Sequence, residues 1–279
     1  MLVRIALIIF ACIAAVTMAP VNAIIIRHDA GYSKYLVRES QYPAVFYLQK
    51  KKDRKICVAT LIHSRWAITA AHCVNQTPLG ETLAAGGRYQ VRVASQQVEI
   101  DKVVLHPGCH GDVNSNSARR KIDLALLRIH EPLPYPVPIA INKQTDELNR
   151  VVTLLGWGYF GLGTIGRQLD DGKFRRAQNR ITVANSRLRF TFDDPGPTNS
   201  RALALEGVPG LGDSGGPALF ETADGLILAG VAIGEVLRQP GGHFRQGAYG
   251  ATEVYERISL HVQWIESILL EDENQDRER

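Results

Sequence analysis

The feature that most limits how this chain can fold is a series of short apolar runs separated by turn residues. The runs lie at 44–48, 58–62, 66–69, 89–94, 124–129, 151–155, 187–192, 218–220 and 226–233. Many short strands at fairly regular intervals are typical of an all-β barrel or sandwich. The alternating helices of a βαβ unit are not apparent, which argues against a parallel sheet. The sequence therefore predicts an all-β fold.

One segment near the end of the chain has helical periodicity instead. Apolar side chains recur there at spacings of three and four and form a single stripe. These residues are Tyr255, Ile258, Val262, Ile265 and Leu269. The pattern predicts a C-terminal α-helix over this segment. The charged, glycine-free residues 271–279 are predicted to form a solvated, disordered tail.

The first 23 residues have the pattern of a secretory signal peptide. A positively charged start is followed by the apolar run 5–16, which is too short to span a bilayer. Small or apolar side chains at the positions read by signal peptidase predict cleavage after Ala23. One alternative is that this segment is a membrane anchor. The other is lipidation of Cys12, and this lipidation is disfavoured because Cys12 lies inside the apolar run. We predict a secreted protein, extracellular or periplasmic, without stable membrane association.

Composition narrows the class of protein further. The chain has 279 residues, of which 45% are apolar and 22% charged, so neither disorder nor a coiled coil is favoured. The net charge is only +4 and the basic residues are scattered, so nucleic acid is not a predicted partner.

Removal of the signal peptide leaves the three cysteines Cys57, Cys73 and Cys109. Export places them where disulfides persist. Because the number is odd, one thiol remains free or pairs with another chain.

Three segments carry side chains suited to catalysis. They are TAAHC at 69–73, DLALL at 123–127 and GDSGGP at 212–217. In this order and spacing they resemble the signature segments of the trypsin/chymotrypsin family of serine proteases. Further matches are HP at 106–107, LGWG at 155–158 and VQWI at 262–265. The resemblance covers about residues 42–268, and the joint occurrence of the segments makes it specific.

The resemblance implies a fold and a kind of partner. The fold is two antiparallel six-stranded Greek-key barrels with a C-terminal α-helix, which places one protease domain over 24–270 with the active site between the barrels. It also implies protein or peptide substrates, no cofactor and a monomer.

The same resemblance implies a catalytic triad of His72, Asp123 and Ser214. A serine hydroxyl is a weak nucleophile unless a neighbouring base takes its proton. Histidine titrates near neutral pH and can accept that proton and return it to the leaving amine. A buried carboxylate on the other ring nitrogen fixes the tautomer. Taken singly, these residues are more often a structural histidine, a strand-end cap and a turn.

The glycines around Ser214 and two of the cysteines have implied roles as well. The backbone N–H groups of Gly212 and Ser214 would form an oxyanion hole, for which Gly212 can adopt the tight geometry. Cys57 and Cys73 would form the disulfide that anchors the histidine segment. Two free thiols are disfavoured by export. No ligand set with zinc spacing is apparent, so we expect no metal.

Activation is expected to differ from the family's usual pattern. There, a new N-terminal isoleucine pairs its ammonium group with the Asp preceding the nucleophile, which is Asp213 here. The usual Ile-Val-Gly-Gly start is absent, but signal cleavage would itself expose Ile24. We hypothesise that this step activates the enzyme; the alternative is that 24–26 is an ordinary strand.

Substrate preference is less constrained. The family's specificity position is Val208, where trypsin has Asp, and Gly210 replaces the usual cysteine of a pocket-wall disulfide. A pocket formed by Val208, Pro209 and Ile233 suits apolar side chains. Glu253, or alternatively Glu235, would restore a basic preference if it lines the same pocket.

Three other functions compete with a peptidase. The pattern Gly-x-Ser-x-Gly at 212–216 also fits the nucleophile elbow of α/β-hydrolases. That fold needs a helix directly after the serine, which Gly215-Gly216-Pro217 resists. A catalytically weak or inactive binding protein with the protease fold and an esterase are the remaining alternatives.

Overall fold

The structure is a computed structural model that describes residues 24–51, 54–109, 122–236 and 245–277. The predicted signal peptide lies outside these ranges. The strands are β1 (Ile25–Ile26), β2 (Val45–Lys51), β3 (Arg54–His63), β4 (Trp66–Thr69), β5 (Tyr89–Val93), β6 (Gln96–Leu105), β7 (Ala125–Ile129), β8 (Ala140–Ile141), β9 (Val151–Gly156), β10 (Phe160–Leu162), β11 (Gly166–Leu169), β12 (Arg175–Arg180), β13 (Val183–Ala184), β14 (Arg187–Thr191), β15 (Gly207–Val208), β16 (Pro217–Thr222), β17 (Gly225–Glu235) and β18 (Thr252–Arg257). The α-helices are α1 (Ala71–Gln76), α2 (Leu79–Ala84) and α3 (Val262–Arg277).

The first half of the chain forms a six-stranded antiparallel sheet. Its order is β2-β3-β4-β7-β6-β5, and β5 packs against β2, so the sheet is nearly closed into a barrel. Period-two alternation puts apolar side chains inside, as at Val91 and Val93 of β5. β4 and β7 are buried more completely because they occupy the middle of the sheet.

The second half forms an eight-stranded sheet that curls into a half-barrel. Seven strands follow the order β12-β9-β16-β17-β18-β14-β13, and β8 pairs in parallel with β17. A four-stranded sheet, β11-β10-β1-β15, lies beside it and also contains one parallel pair, β1 with β10. The structure confirms the all-β class and the two barrel-like sheets. It differs from the expectation in having eight strands in the second sheet and two parallel pairs.

The two halves are joined through their cores. One cluster of buried apolar side chains includes Trp66 and Leu126 of the first sheet together with Leu219 and Leu228 of the second. Burial of this apolar surface is the main force that holds the two sheets together.

The C-terminal helix is present but begins later than its apolar spacing predicts. Tyr255 belongs to β18 and Ile258 to a 3-10 turn, and α3 starts at Val262. The prediction was wrong for Tyr255 because pairing with β14 and β17 buries it on one face of a sheet. Among the described residues, no helix combines the length and apolar character needed to cross a membrane.

The predicted disordered tail is also helical as far as Arg277. Asp272 is buried, and its carboxylate accepts hydrogen bonds from Trp66 Nε1 and Arg128, each at 3.0 Å. These contacts order the first part of the tail and extend the packed domain beyond residue 270. A count of charges alone does not anticipate such buried partners.

Candidate active site

A histidine and an aspartate meet at one end of the two central strands of the first sheet. β4 ends at Thr69, and His72 lies in the first turn of α1. Asp123 lies just before β7, the neighbour of β4 in the sheet. Asp123 accepts two hydrogen bonds from His72, one from the backbone N–H at 2.9 Å and one from ring Nδ1 at 2.7 Å. The ring is therefore fixed in orientation, with Nε2 left for other chemistry.

Asp123 is supported from the second half of the molecule. Its backbone N–H donates to Oε1 of Glu256 at 3.0 Å, and the same oxygen accepts from Arg187 Nη2 at 2.8 Å. Glu256 is buried and lies directly opposite Arg187 in the pairing of β18 with β14. Sequence reasoning missed both residues. The only local signal was the alternation within 252–257, which the helical interpretation of Tyr255 concealed.

The segment containing Ser214 docks against β3. Cys57 N–H donates to the Gly212 carbonyl at 2.9 Å, and Val58 N–H donates to the Ser214 carbonyl at 2.8 Å. Gly215 follows with φ +80°, and a Cβ there would lie 2.2 Å from the Val58 carbonyl oxygen. Only glycine fits this close approach of two backbones. The glycine therefore lets the second half of the chain present Ser214 to the first.

Two backbone donors near Ser214 are unoccupied. Among the described residues, neither the Gly212 nor the Ser214 N–H has a hydrogen-bond acceptor. Gly212 has φ +102°, a conformation that L residues rarely adopt. Unpaired amides are uncommon in folded proteins and are available to an incoming negative oxygen.

Ser214 and His72 line one cavity of about 250 Å³. Within the described part of the chain, no hydrogen bond joins the His72 ring to the Ser214 hydroxyl. Such bonds are often long in the absence of substrate and shorten when one binds. The arrangement places the Ser214 side chain and the His72 ring in the lining of the same cavity.

The cysteines behave as the resemblance implied. Cys57 and Cys73 form a disulfide that ties β3 to α1, next to His72. In the chain-entropy model, closing a loop of this length contributes about 3 kcal/mol. The two sulfurs lie near a His72 ring nitrogen, but sulfurs in a disulfide are not thiolate ligands for a metal. Cys109 forms no disulfide with the other described cysteines.

The cavity is lined by three of the four residues predicted for the substrate pocket. Pro209, Ile233 and Glu253 line it, and Glu235 does so as well. Val208 does not. It is fully buried in β15 and packs in an apolar cluster with Ile25, its partner strand residue.

Asp213 is buried beside Ser214. Its oxygens accept hydrogen bonds from the backbone N–H groups of Gly158, at 2.6 Å, and Gly210, at 2.8 Å. Burial raises the pKa of Asp213 to about 7, although these amides act against the shift. Ile24 precedes β1, which pairs with β15 in the segment leading to Asp213. Among the described contacts, no hydrogen bond joins Ile24 to Asp213.

The comparisons with known proteins first give the class. The sequence model of the family described as Trypsin matches residues 32–265. The chain therefore belongs to the trypsin family of serine proteases.

Two individual proteins illustrate the relationship. The chain is 26% identical over 258 residues to vitamin K-dependent protein C of Oryctolagus cuniculus, covering 85% of this chain and 52% of that protein. The chain thus spans about half the length of that relative. It also resembles the structure of neuropsin, a serine protease expressed in the limbic system of mouse brain, with a TM-score of 0.59 and 19% identity. That match covers 84% of this chain and 98% of the other, and at this identity it shows the fold alone.

Proposed function

We propose that this chain is a secreted serine endopeptidase that hydrolyses peptide bonds through an acyl-enzyme. Ser214 is the nucleophile, His72 the general base and Asp123 the carboxylate that orients the base. The observation that carries the proposal is the double contact of Asp123 with His72, 2.7 Å at Nδ1 and 2.9 Å at the backbone, beside Ser214 in one cavity. None of the three residue types is missing from the sequence, and no observation favours an inactive binding protein.

The chemistry follows from these contacts. As Ser214 Oγ attacks the substrate carbonyl carbon, His72 Nε2 takes the hydroxyl proton while Nδ1–H donates to Asp123. The negative oxygen of the intermediate accepts hydrogen bonds from the Gly212 and Ser214 N–H groups. The C–N bond then breaks, and His72 returns the proton to the departing amine. Water repeats the sequence on the acyl-enzyme and releases the acid.

The test is digestion of a peptide library by the native protein and by Ser214→Ala, with Ser267→Ala on α3 as the matched control. We expect cleavage by the native protein and the control, and loss of at least about 10³-fold in the Ser214 variant. Cleavage by Ser214→Ala at the native rate would overturn the mechanism. Cleavage by none of the three would favour a binding function.

We further propose that removal of residues 1–23 activates the enzyme. The new Ile24 ammonium would pair with Asp213, whose pKa is raised by burial and which has no cationic nitrogen within 4.0 Å among the described residues. In the intact chain Ile24 has φ 56°, which is a strained conformation for a β-branched residue. N-terminal sequencing of the active protein tests this, and any start other than Ile24 contradicts it.

The remaining expectations stand as part of the same proposal. The protein is exported and monomeric, acts on proteins or peptides, and needs no cofactor. Its protease domain starts at Ile24. Because α3 packs on the first sheet through Asp272, the domain includes residues beyond 270.

A further inference from the structure

The cavity beside Ser214 contains two acidic side chains that face each other. Glu235 ends β17 and Glu253 belongs to β18, and the two are directly opposite in the register of these strands. Side chains at directly opposed positions lie on the same face of the sheet, with Cβ atoms about 5 Å apart. Both side chains line the cavity that His72 and Ser214 also line.

Neither carboxylate is neutralised by a residue that the structure describes. Glu253 is only 3% exposed, and its Oε1 has no hydrogen-bond partner. Glu235 accepts one hydrogen bond, from Gly247 N–H at 3.1 Å, and its other oxygen is buried without a partner. Across the described ranges, no Lys, Arg or His nitrogen lies within 4.0 Å of either carboxylate.

Ionisation of both carboxylates is unfavourable when no cation lies between them. Burial raises the pKa of Glu253 well above its usual range, and the charges of Glu235 and Asp213 raise it further. Burial likewise raises the pKa of Glu235 to about 7. Like charges in a poorly solvated site oppose each other's ionisation, and an added cation reverses this effect. A positively charged group entering the cavity would therefore supply the missing partner.

The rest of the cavity is suited to the stem of a long side chain. Pro209 and Ile233 are apolar and line it together with the carboxylates and Ser214. The cavity, at about 250 Å³, thus combines apolar walls and an acidic site with a candidate nucleophile at its opening. Lys and Arg have this same pattern of an apolar stem and a cationic tip.

We propose that Glu253 and Glu235 together bind the cationic side chain of the Lys or Arg residue immediately N-terminal to the scissile bond. This role rests on the proposed peptidase function. The selecting charge comes from a strand pair that forms the cavity wall, because Val208 at the family's specificity position is buried in the core.

The test compares peptides that differ at one residue. Matched pairs carry Lys or norleucine, and Arg or citrulline, before the scissile bond. Each pair keeps the length of the side chain and removes its charge. We expect the native enzyme to favour each cationic peptide by at least about 10-fold in kcat/KM, as a charged hydrogen bond would give. Equal rates, or faster cleavage of the neutral peptides, would overturn the proposal.

Substitution of each glutamate in turn shows which carboxylate produces the preference for a cationic side chain. Glu253→Gln is expected to reduce the Lys to norleucine ratio to near one, because the Lys peptide loses the more deeply buried of its two carboxylate partners. Glu235→Gln should lower the ratio by a smaller factor, because Glu235 is less buried. Glu266→Gln, which removes an exposed carboxylate on α3, is the matched control and should leave the ratio unchanged. If Glu253→Gln and Glu235→Gln both keep the native Lys to norleucine ratio, the two carboxylates do not bind the cationic side chain.

One more measurement separates this inference from the peptidase proposal. Covalent labelling of Ser214 by a small alkyl fluorophosphonate reports the nucleophile without occupying the acidic site. Labelling and norleucine cleavage without a Lys preference would refute only the carboxylate pair. Failure of labelling and of all cleavage would refute the peptidase proposal itself. If Glu253→Gln does not fold, the native ratios and Glu235→Gln still decide the question.

Discussion

At the scale of single residues, the most informative contact is the one that supports Asp123 from behind. The Glu256 carboxylate accepts the Asp123 backbone N–H and is itself held by Arg187. Asp123 in turn fixes the His72 ring. Glu256 is therefore a positioning residue that acts on the proposed base through Asp123.

We predict that Glu256→Ala lowers kcat by about 10-fold or more with little change in KM, because the buried Asp123 N–H and Arg187 lose their acceptor. Glu256→Gln keeps an acceptor for the N–H and should recover part of the loss. Steady-state kinetics on one peptide measures both. A fall confined to KM, or no recovery with Gln, would show that Glu256 does not act by positioning Asp123.

The pair Glu235 and Glu253 predicts that the preference for a Lys peptide over a norleucine peptide depends on pH. Glu253 faces Glu235, and the charge of Asp213 also acts on it, while Tyr255 on β18 and His72 at the cavity opening are the other titratable groups nearby. A cation binds best to ionised carboxylates. Since their pKa values are raised, the Lys to norleucine ratio in kcat/KM should increase as the pH rises through about 7.

The ratio is the useful quantity here because both peptides depend equally on the protonation state of His72. Peptide cleavage at several pH values between 5.5 and 8.5 measures it. The same series on Glu253→Gln should be nearly flat. A ratio that falls with rising pH would contradict the charge assignment.

At the scale of elements, the disulfide between Cys57 and Cys73 joins a strand to the helix that carries His72. We predict that the double variant Cys57→Ser, Cys73→Ser loses about 3 kcal/mol of unfolding free energy, since its unfolded chain is no longer constrained. Urea unfolding of an inactive Ser214→Ala background avoids self-digestion. Cys109→Ser in the same background is the control, and we expect a much smaller change. Equal stability of the two variants would contradict this role.

The elements also show what local sequence can and cannot predict. Val91 and Val93 alternate with polar neighbours, so β5 follows from its own residues. The segments around His72 and Ser214 were recognisable because their residues in order resemble the family's signature segments, in which positions such as Gly215 admit only glycine. Glu256 was missed because its role depends on strand register with Arg187, 69 residues away along the chain.

Specificity was the part of the site that sequence predicted least well. Val208 stands at the expected position, yet pairing of β15 with Ile25 directs it into the core. The lining by Glu235 depends on a bulge between Ala232 and Gly234 that sets the register of β17 on β18. Neither the burial of Val208 nor the register of β17 on β18 can be predicted from the residues next to them in the sequence.

At the scale of the whole molecule, buried carboxylates predict how stability varies with pH. Burial raises the pKa values of Glu206 and Glu235 to about 7, above their ordinary value of 4.5. Between these limits the folded state binds more protons than the unfolded state. These groups therefore reduce the unfolding free energy as the pH rises from about 4.5 to about 7, and add no further slope above it.

Urea unfolding of the Ser214→Ala background at pH 5.0 and pH 7.5 measures the slope. Adding Glu235→Gln, which can still accept from Gly247, should make the difference between the two pH values smaller. Adding Glu266→Gln should leave it unchanged. If unfolding free energy instead rises by the same amount in all three proteins, these buried groups do not govern it.

The contact of the last helix with the first sheet has a consequence for biosynthesis. Asp272, near the end of the chain, is the buried acceptor for Trp66 and Arg128, which are made early. Glu256, which supports Asp123, also follows Ser214 in translation. Ser214 is therefore synthesised before the residue that supports Asp123 and before the helix that contacts the first sheet. The contacts around the proposed site can be complete only after α3 has been synthesised.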